Sequence, residues 1–402
     1  MSADSDEIID YPIIRPNDLT VDDFYRDFQQ HGPIRVQLPY GEPCWLATRY
    51  HDVKTVYGDK RFGKEIGIGR ETPRMWETRI DDPDIMANMD PPRQTRIRRL
   101  ALVAFAAPKI RSMRDGVTEK VDRYLDAFEA AGRPSDFVTT AAWNVPLTVL
   151  CGILGVREAD IPMFRSWVDQ MTGPGSTTED RHQAQANLAG YVAGLVAERR
   201  AHETDDLLSV LVHARDDDDQ LTEAELISLY MTLFLGGFET TAAQLTSTVW
   251  TLMAQRNLWQ ELLDDPALVP AALEELWRWI PSFRWGTTMI RWANEDVELS
   301  DGVVIPAGRA VVAEHNVANR DESVFPHGWE IDFRRKAPEP HLSLAWGVHR
   351  CLGAHIAHME VEVMVERLLA RFPNLALTIA PEDVKWSETS FLRSAAELPL
   401  TW

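Results

Sequence analysis

The stretch His341-Leu-Ser-Leu-Ala-Trp-Gly-Val-His-Arg-Cys351-Leu-Gly353 is the most informative part of the sequence. One glycine lies four residues before Cys351 and another lies two residues after it, and a helical pattern begins directly afterwards. Glycines at these places allow a tight turn and let a flat ligand come close to the backbone. A thiol at the N-terminus of a helix is favoured as the thiolate, because unpaired N–H groups and the helix dipole stabilise negative charge. The stretch therefore predicts a thiolate that serves as a ligand.

The rest of the composition sets the context of this thiol. Cys44 and Cys151 are too scattered to form a disulfide framework or a zinc site with Cys351, so we expect single thiols in a reducing compartment. The formal net charge of −21 disfavours binding to nucleic acid. The first residues, MSADSDEIIDYP, are acidic, and no stretch reaches the roughly 18 consecutive apolar residues that span a bilayer. We expect a soluble, cytoplasmic protein with neither nucleic acid nor a membrane as a partner.

Helical periodicity dominates from Ile97 onward. The capping box Thr222-Glu-Ala-Glu225 opens the longest helical pattern, about Glu223 to Gln255. Its middle, from Leu226 to Leu245, is apolar nearly all round, so we expect it to run through the core. Further helices are predicted at about 267–280 and 352–371. No flexible linker interrupts these patterns, which predicts a single domain over residues 1–402.

Strand signals are confined to short segments. Ile34–Leu38 and Cys44–Thr48 flank a turn signal and predict a hairpin. Short β-prone runs follow at 296–313, whereas 62–90 reads as a long loop and 314–350 as mostly irregular. The pattern predicts a mainly α protein with a small β-rich part.

The long helical pattern contains Gly236-Gly-Phe-Glu-Thr240-Thr241. Two glycines inside a helix cost about 1 kcal/mol each relative to alanine, so a packing or functional reason is expected. Glu239 and Thr240 place a carboxylate and a hydroxyl beside this point in an otherwise apolar segment. The alternative is a threonine bonded back to its own helix and a glutamate turned to the surface.

Two further patterns are weaker by themselves. Glu275-Leu-Trp-Arg278 has the i,i+3 spacing of an ion pair on one helix face. The segment Asp90-Pro-Pro-Arg-Gln-Thr-Arg-Ile-Arg98-Arg99 reads as a turn into a basic helix, on which Gln94 and Arg98 share a face because they are about one helical turn apart.

Together these motifs resemble the cytochrome P-450 family over nearly the whole chain. Gly347, His349, Cys351 and Gly353 match its haem-binding signature, while Leu344 and Ala345 replace the usual Phe and Gly. The resemblance implies a triangular prism of helices with a smaller β-rich lobe. It also implies haem b (iron protoporphyrin IX), with Cys351 as the ligand to the iron, an assignment that agrees with the thiolate chemistry of such haems.

The resemblance also implies roles for other residues. Glu239 and Thr240 match the oxygen-activation motif as the catalytic, proton-delivering pair, and Glu275 and Arg278 match a structural motif. A third member of that motif is Arg334 or Arg335, which the sequence leaves open. The expected contacts with haem, beside Cys351 and Gly353, are Gln94, Arg98, Arg291 and His349. The expected substrate pocket draws on Trp76, Met89, Phe238, Thr241, Trp285 and Phe391.

The implied reaction is activation of O₂ and hydroxylation or epoxidation of a mid-sized apolar molecule, in natural-product biosynthesis. No G-x-G-x-x-G motif follows a strand, so electrons are expected from a ferredoxin and its reductase. That donor would dock on a basic cluster comprising Arg96, Arg99, Lys109, Arg111 and Arg350. We expect a monomer. The alternatives are an atypical oxidation, such as aryl coupling or desaturation, and a non-catalytic haem-binding sensor.

Overall fold

The computed structural model describes residues 8–11, 19–75, 77, 82–103, 105–172, 177–204, 206–213, 221–283, 289–387 and 391–402. Trp76 and Trp285, two of the predicted pocket residues, lie outside them.

Helices dominate the described residues, as the periodicity predicts. The α-helices found there are α1 Phe24–Phe28, α2 Tyr50–Gly58, α3 Arg93–Leu102, α4 Ala107–Ser112, α5 Arg114–Ala130, α6 Asn144–Ile153, α7 Ile161–Thr172, α8 Thr178–Ala201, α9 Leu207–His213, α10 Glu223–Gly237, α11 Glu239–Ala254, α12 Arg256–Asp264, α13 Val269–Trp279, α14 His315–Ala318 and α15 Ala354–Arg371. The strands are β1 Ile9–Asp10, β2 Ile34–Gln37, β3 Cys44–Ala47, β4 Phe62–Gly63, β5 Ser135–Asp136, β6 Ile290–Ala293, β7 Val297–Glu298, β8 Val304–Ile305, β9 Ala310–Ala313, β10 Ala376–Leu377 and β11 Pro399–Thr401.

The chain divides into two compact units, which are described separately. The β-rich unit comprises Met1–Pro83, Ala87–Pro92 and Pro270–Cys351. The helical unit comprises Asp84–Met86, Arg93–Val269 and Leu352–Trp402. That the chain works as one domain over residues 1–402 stays a prediction.

A six-stranded sheet in the order β1-β2-β3-β9-β6-β4 organises the β-rich unit. Strands β2 and β3 pair antiparallel with Ile34 opposite Leu46, which confirms the predicted hairpin. Strand β6 pairs antiparallel with β9 and places Arg291 opposite Val311. Because every residue of β6 and β9 is buried, Arg291 brings a guanidinium into an apolar sheet. Burying a charge in apolar surroundings is costly unless the charge is paired, so this guanidinium needs a compensating partner.

The predicted long helix in the helical unit is two helices. Thr222 and Glu225 form the predicted capping box at the start of α10. The helical pattern bends at Phe238, so α10 ends at Gly237 and α11 begins at Glu239. A Cβ on Gly237 would lie 3.0 Å from the Leu150 side chain, which gives a packing reason for this glycine, whereas one on Gly236 would meet no atom within 4 Å.

The stretch Glu223–Ala254 has the length and composition to cross a membrane. However, 59% of its most apolar window is buried inside the protein. That degree of burial is typical of a core helix, as the apolar character all round predicts.

Candidate functional site

The loop that carries Cys351 is a series of tight turns in the β-rich unit. The Ala345 N–H donates to the Leu342 carbonyl at 2.9 Å, and the Cys351 N–H donates to the Leu344 carbonyl at 2.8 Å. Gly347 has φ +69°, and a Cβ there would lie 2.7 Å from the Tyr57 carbonyl oxygen. Only glycine fits at this position, as the sequence predicts. Ala345 also has positive φ, +57°, which costs an L-residue about 1 kcal/mol or more.

Cys351 differs from the other two cysteines in its surroundings. Its side chain is exposed, whereas Cys44 and Cys151 are buried. Burial raises the pKa of both buried thiols to about 12. Those two cysteines stay neutral at physiological pH, so Cys351 is the one cysteine placed to act as a thiolate ligand.

Helix α2 supports the cysteine loop through contacts that the sequence analysis missed. A Cβ on Gly58 would lie 2.9 Å from Cδ1 of Trp346, so the absent side chain makes room for this indole. The Lys54 ammonium lies 4.7 Å from the centroid of the Trp346 ring and 2.7 Å from a Glu339 carboxylate oxygen. A glycine at the end of a short helix reads as an ordinary stop signal, and nothing in its sequence context points to Trp346.

Glu275 and Arg278 form a buried ion pair, and Arg335 completes it. Arg278 donates to Glu275 at 2.8 and 2.7 Å, and Arg335 Nε donates to the same carboxylate at 3.0 and 3.1 Å. The Arg335 side chain is 8% exposed and the other two less. Arg334 is exposed. Arg335, and not Arg334, is therefore the third member of the network, a choice that the sequence left open.

This network continues to the cysteine loop. Arg278 donates to the Asn319 carbonyl at 2.7 Å. The Asn319 side chain accepts from the Leu342 N–H at 2.7 Å and donates to Ser343 Oγ at 2.8 Å. Since Leu342 in turn accepts from Ala345, hydrogen bonds run without a gap from Glu275 into the turn before Cys351.

Basic side chains converge near Arg291 in the β-rich unit. Lys64, Arg291 and His349 are called the cation cluster here, in which Lys64 and Arg291 carry the positive charge and His349 is neutral near pH 7. Arg291 is 2% exposed and donates to the Ile290 carbonyl, but it forms no ion pair within the described residues. Burial lowers its pKa. Burial also lowers the pKa of His349 to about 4, and its Nε2 has no hydrogen-bond partner among the described residues. Asp90, whose Oδ1 lies 4.0 Å from that Nε2, is the carboxylate nearest to His349 among the described residues.

The cation cluster fits an acidic ligand. Buried cations without an ion-pair partner are costly unless a ligand supplies negative charge. Arg291 and His349 were predicted from the resemblance, and the structure places them in one cluster. Lys64 was missed, because a lysine in a stretch read as a loop carries no signal of burial.

Helix α3 carries the basic segment of the helical unit. Gln94 is buried and Arg98 is partly exposed, on one face as the spacing predicts. Arg96 donates to Glu225 at 2.5 Å, and Arg93 lies 3.5 Å from the same carboxylate. The Arg96 charge is thus already paired with the capping-box glutamate of α10, so this residue offers less free positive charge to a docking partner; the docking surface itself stays a prediction. Arg99, Lys109 and Arg111 are exposed.

Glu239 and Thr240 begin α11 directly after the bend. Thr240 Oγ1 donates to the Gly236 carbonyl at 2.8 Å, so the threonine does bond back to its helix. Its oxygen thereby keeps lone pairs that accept a hydrogen bond from a ligand. Glu239 is 9% exposed, and therefore it is not turned to the surface.

The remaining predicted residues differ in their surroundings. Phe238 is 1% exposed, and its ring packs against Trp143 and Phe234 at centroid distances of 5.8 and 5.7 Å. Met89 is 1% and Thr241 3% exposed, and Thr241 donates to the Gly237 carbonyl. These contacts are those of core residues, which argues against Phe238 as a direct substrate contact. Phe391 is partly exposed.

Gly353 was predicted to contact the cofactor. Its carbonyl accepts from the Ala357 N–H at 3.0 Å in the first turn of α15. A Cβ there would lie 3.7 Å from Ile356, an ordinary contact, so packing within the protein does not require this glycine.

Comparison with known proteins gives consistent matches. Residues 163–391 match the family model for Cytochrome P450. Mycinamicin IV hydroxylase/epoxidase of Micromonospora griseorubida is 40% identical over 394 residues, 98% of each chain. Nocardicin C N-oxygenase of Nocardia uniformis subsp. tsuyamanensis is 42% identical over 395 residues, also 98% of each chain. The solved structure of cytochrome P450mel 107F1, with biaryl coupling reactivity, matches with a TM-score of 0.91 at 39% identity and covers 98% of this chain and 100% of that chain.

Proposed function

This chain belongs to the cytochrome P450 family and is a haem b monooxygenase, and from this premise we propose that Cys351 supplies the thiolate ligand of the iron. The observation that carries the proposal is the contrast among the cysteines. Cys351 is exposed at the end of a hydrogen-bonded turn, whereas burial keeps Cys44 and Cys151 neutral. The family also accounts for the mainly α fold predicted from the sequence.

Haem, when bound, supplies the oxygen-activating redox chemistry that amino-acid side chains lack. The residues of the chain hold it and control protons. We assign Arg291 and His349 of the cation cluster to its carboxylates, because Arg291 is buried, the His349 side chain is 11% exposed, and neither has a carboxylate at hydrogen-bonding distance among the described residues. Gln94 and Arg98 on α3 are assigned to the same carboxylates from their family positions. Gly353 is assigned to the turn beside the cofactor.

Thr240 and Glu239 are proposed as the catalytic pair. Thr240 Oγ1 donates to Gly236 and so is oriented to accept a hydrogen bond at its lone pairs. Glu239, the preceding side chain, is buried enough to hold a proton away from bulk water and exposed enough to exchange it. Proton delivery by a positioned carboxyl group contributes roughly 10²–10⁴-fold to such reactions.

The substrate is proposed to be a mid-sized, largely apolar natural product that is hydroxylated or epoxidised. The support is similarity: a relative of 40% identity is named a mycinamicin IV hydroxylase/epoxidase. Phe391 remains assigned to the pocket, and so do Trp76, Met89, Thr241 and Trp285, although burial makes Met89 and Thr241 weaker assignments. Aryl coupling is the second candidate, favoured by the match to a P450 with biaryl coupling reactivity.

We further propose a soluble, cytoplasmic monomer that receives electrons from a ferredoxin and its reductase. The donor would dock on Arg99, Lys109, Arg111 and Arg350, which are exposed in a chain of net charge −21. Arg96 is left out of this surface because Glu225 neutralises it. Neither nucleic acid nor a membrane is expected as a partner.

Substitution of each cysteine tests the central assignment. Cys351→Ser should abolish the Soret band typical of a reduced, thiolate-ligated carbonyl complex, whereas the matched Cys44→Ala and Cys151→Ala proteins should keep it. A Cys351→Ser protein with the unchanged band would contradict the proposal. Substrate class is tested by titrating a panel of natural products into the ferric protein and following the spin-state change of the haem.

A further inference from the structure

Lys64 lies beside the strand that carries Arg291. It directly follows β4, and β4 pairs antiparallel with β6, with Gly63 opposite Trp292, the residue after Arg291. Lys64 is partly buried, and among the described residues its ammonium forms no hydrogen bond or ion pair. A second cation therefore lies next to the buried guanidinium without a partner within bonding distance.

Asp90 forms no hydrogen bond to either cation side chain; its carboxylate accepts from the backbone and favours the charged forms of Lys64 and Arg291 only from a distance. The Lys64 N–H donates to both Asp90 oxygens at 2.9 Å, and the Glu65 N–H donates at 3.0 Å. A Cβ on Gly63 would lie 2.4 Å from Asp90 Oδ2, so the chain leaves out a side chain to admit this carboxylate. The carboxylate stabilises the turn after β4, and the positive charges of the cation cluster exceed the negative ones.

We propose that the Lys64 ammonium pairs with a haem propionate beside Arg291. The proposal rests on the haem binding proposed above and adds a residue to it. A dianionic pair of propionates supplies the negative charge that Lys64 and Arg291 lack, and charge-assisted hydrogen bonds are the strongest kind for such a site. Lysine suits this place because its ammonium is a compact point charge, whereas the planar guanidinium of Arg291 can donate two hydrogen bonds to one carboxylate.

The pairing predicts that haem binding takes up a proton. Burial and the nearby Arg291 charge lower the pKa of Lys64 to about 7, with Asp90 opposing them. A propionate at the ammonium favours the charged form and raises that pKa again. The affinity for haem is therefore highest below about pH 7 and falls as the pH rises above it.

The other groups that face Lys64 titrate outside this window. Burial raises the pKa of Asp90, but the nearby His349 and the hydrogen bonds from the backbone N–H groups of Glu65 and Lys64 outweigh it, so this pKa is lowered. Burial lowers the pKa of His349 to about 4. Arg291 stays charged throughout. Of these groups, only Lys64 titrates between about pH 7 and about pH 9, so a change of haem affinity in that range is assigned to Lys64 rather than to the other three.

Haem partition between the holoenzyme and excess apomyoglobin tests the proposal. Lys64→Met should weaken haem retention about tenfold at about pH 6, the effect of losing one charge-assisted bond. The control Lys60→Met, at an exposed lysine four residues earlier, should behave as the wild type. Lys64→Arg should retain haem and, because arginine does not titrate here, should lose the decline above about pH 7.

Two results would overturn the proposal while the family function stands. One is a Lys64→Met protein that retains haem as well as Lys60→Met at about pH 6. The other is a Lys64→Met protein with unchanged haem retention but weaker substrate binding, which would assign the ammonium to a carboxylate of the substrate. If the wild type itself held no thiolate-ligated haem, the failure would instead be that of the proposed function.

Discussion

Replacement of Arg335 by alanine is the most direct test of how the cysteine loop is supported. The change removes two hydrogen bonds to Glu275, at 3.0 and 3.1 Å, and donors to the carbonyls of Pro326, His327 and Glu330. Glu275 retains the bonds from Arg278 at 2.8 and 2.7 Å.

The ion pair that remains between Glu275 and Arg278 determines how much unfolding free energy is lost in Arg335→Ala. Removing one partner of a buried ion pair costs about 3–5 kcal/mol when the other charge is left alone. Because Arg278 still neutralises Glu275, we expect the lower end, about 3 kcal/mol of unfolding free energy. Arg334→Ala is the matched control. Its side chain is exposed, so the change should stay within about 0.5 kcal/mol.

The assay is urea unfolding of the holoenzyme, followed by far-ultraviolet circular dichroism and by the haem Soret band. Since hydrogen bonds connect Glu275 to the turn before Cys351, Arg335→Ala should also lower the fraction of thiolate-ligated haem before unfolding begins. If Arg335→Ala and Arg334→Ala had equal stability, the reasoning would be refuted. A loss of stability with intact thiolate ligation would refute only the link to the cysteine loop.

Three further predictions concern single positions. Ala345→Gly should raise the unfolding free energy by about 1 kcal/mol in the same assay, because it relieves a positive φ; a decrease would contradict this. Gly58→Val should lower the fraction of thiolate-ligated haem by displacing Trp346, whereas Gly116→Val, with no atom within 4 Å of its Cβ, should not. Thr240→Val should form less product per electron consumed than Thr240→Ser, since only the serine keeps the hydroxyl; equal yields would exclude a role for that group.

Those parts of the fold that depend on local chemistry could be predicted from the sequence. The capping box at Thr222 and Glu225 is a contact between neighbours along the chain, and it fixed the start of α10. The hairpin β2–β3 is equally local. The two glycines before Phe238 marked this part of the helix as unusual, although the sequence could not show that α10 and α11 separate there.

The contacts that the sequence missed are long-range. Lys64 gains its importance from Asp90 and Arg291, which lie 26 and 227 positions further along the chain. Arg334 and Arg335 are indistinguishable by type, and only the folded path of the chain shows which one reaches Glu275. Phe238 lies beside the proposed catalytic pair, yet its ring packs with Phe234 and Trp143, because helix geometry rather than proximity in sequence decides the direction of a side chain.

The supports of the cysteine loop explain why its sequence tolerates two departures from the family signature. The backbone of the turn is held by Asn319 on one side, and on another side it approaches α2 so closely that a Cβ on Gly347 would lie 2.7 Å from the Tyr57 carbonyl oxygen. Neither support uses a side chain of Leu344 or Ala345. Replacing the usual Gly by Ala345 therefore costs local strain but leaves the turn in place, and this is why Ala345→Gly is expected to add stability without moving Cys351.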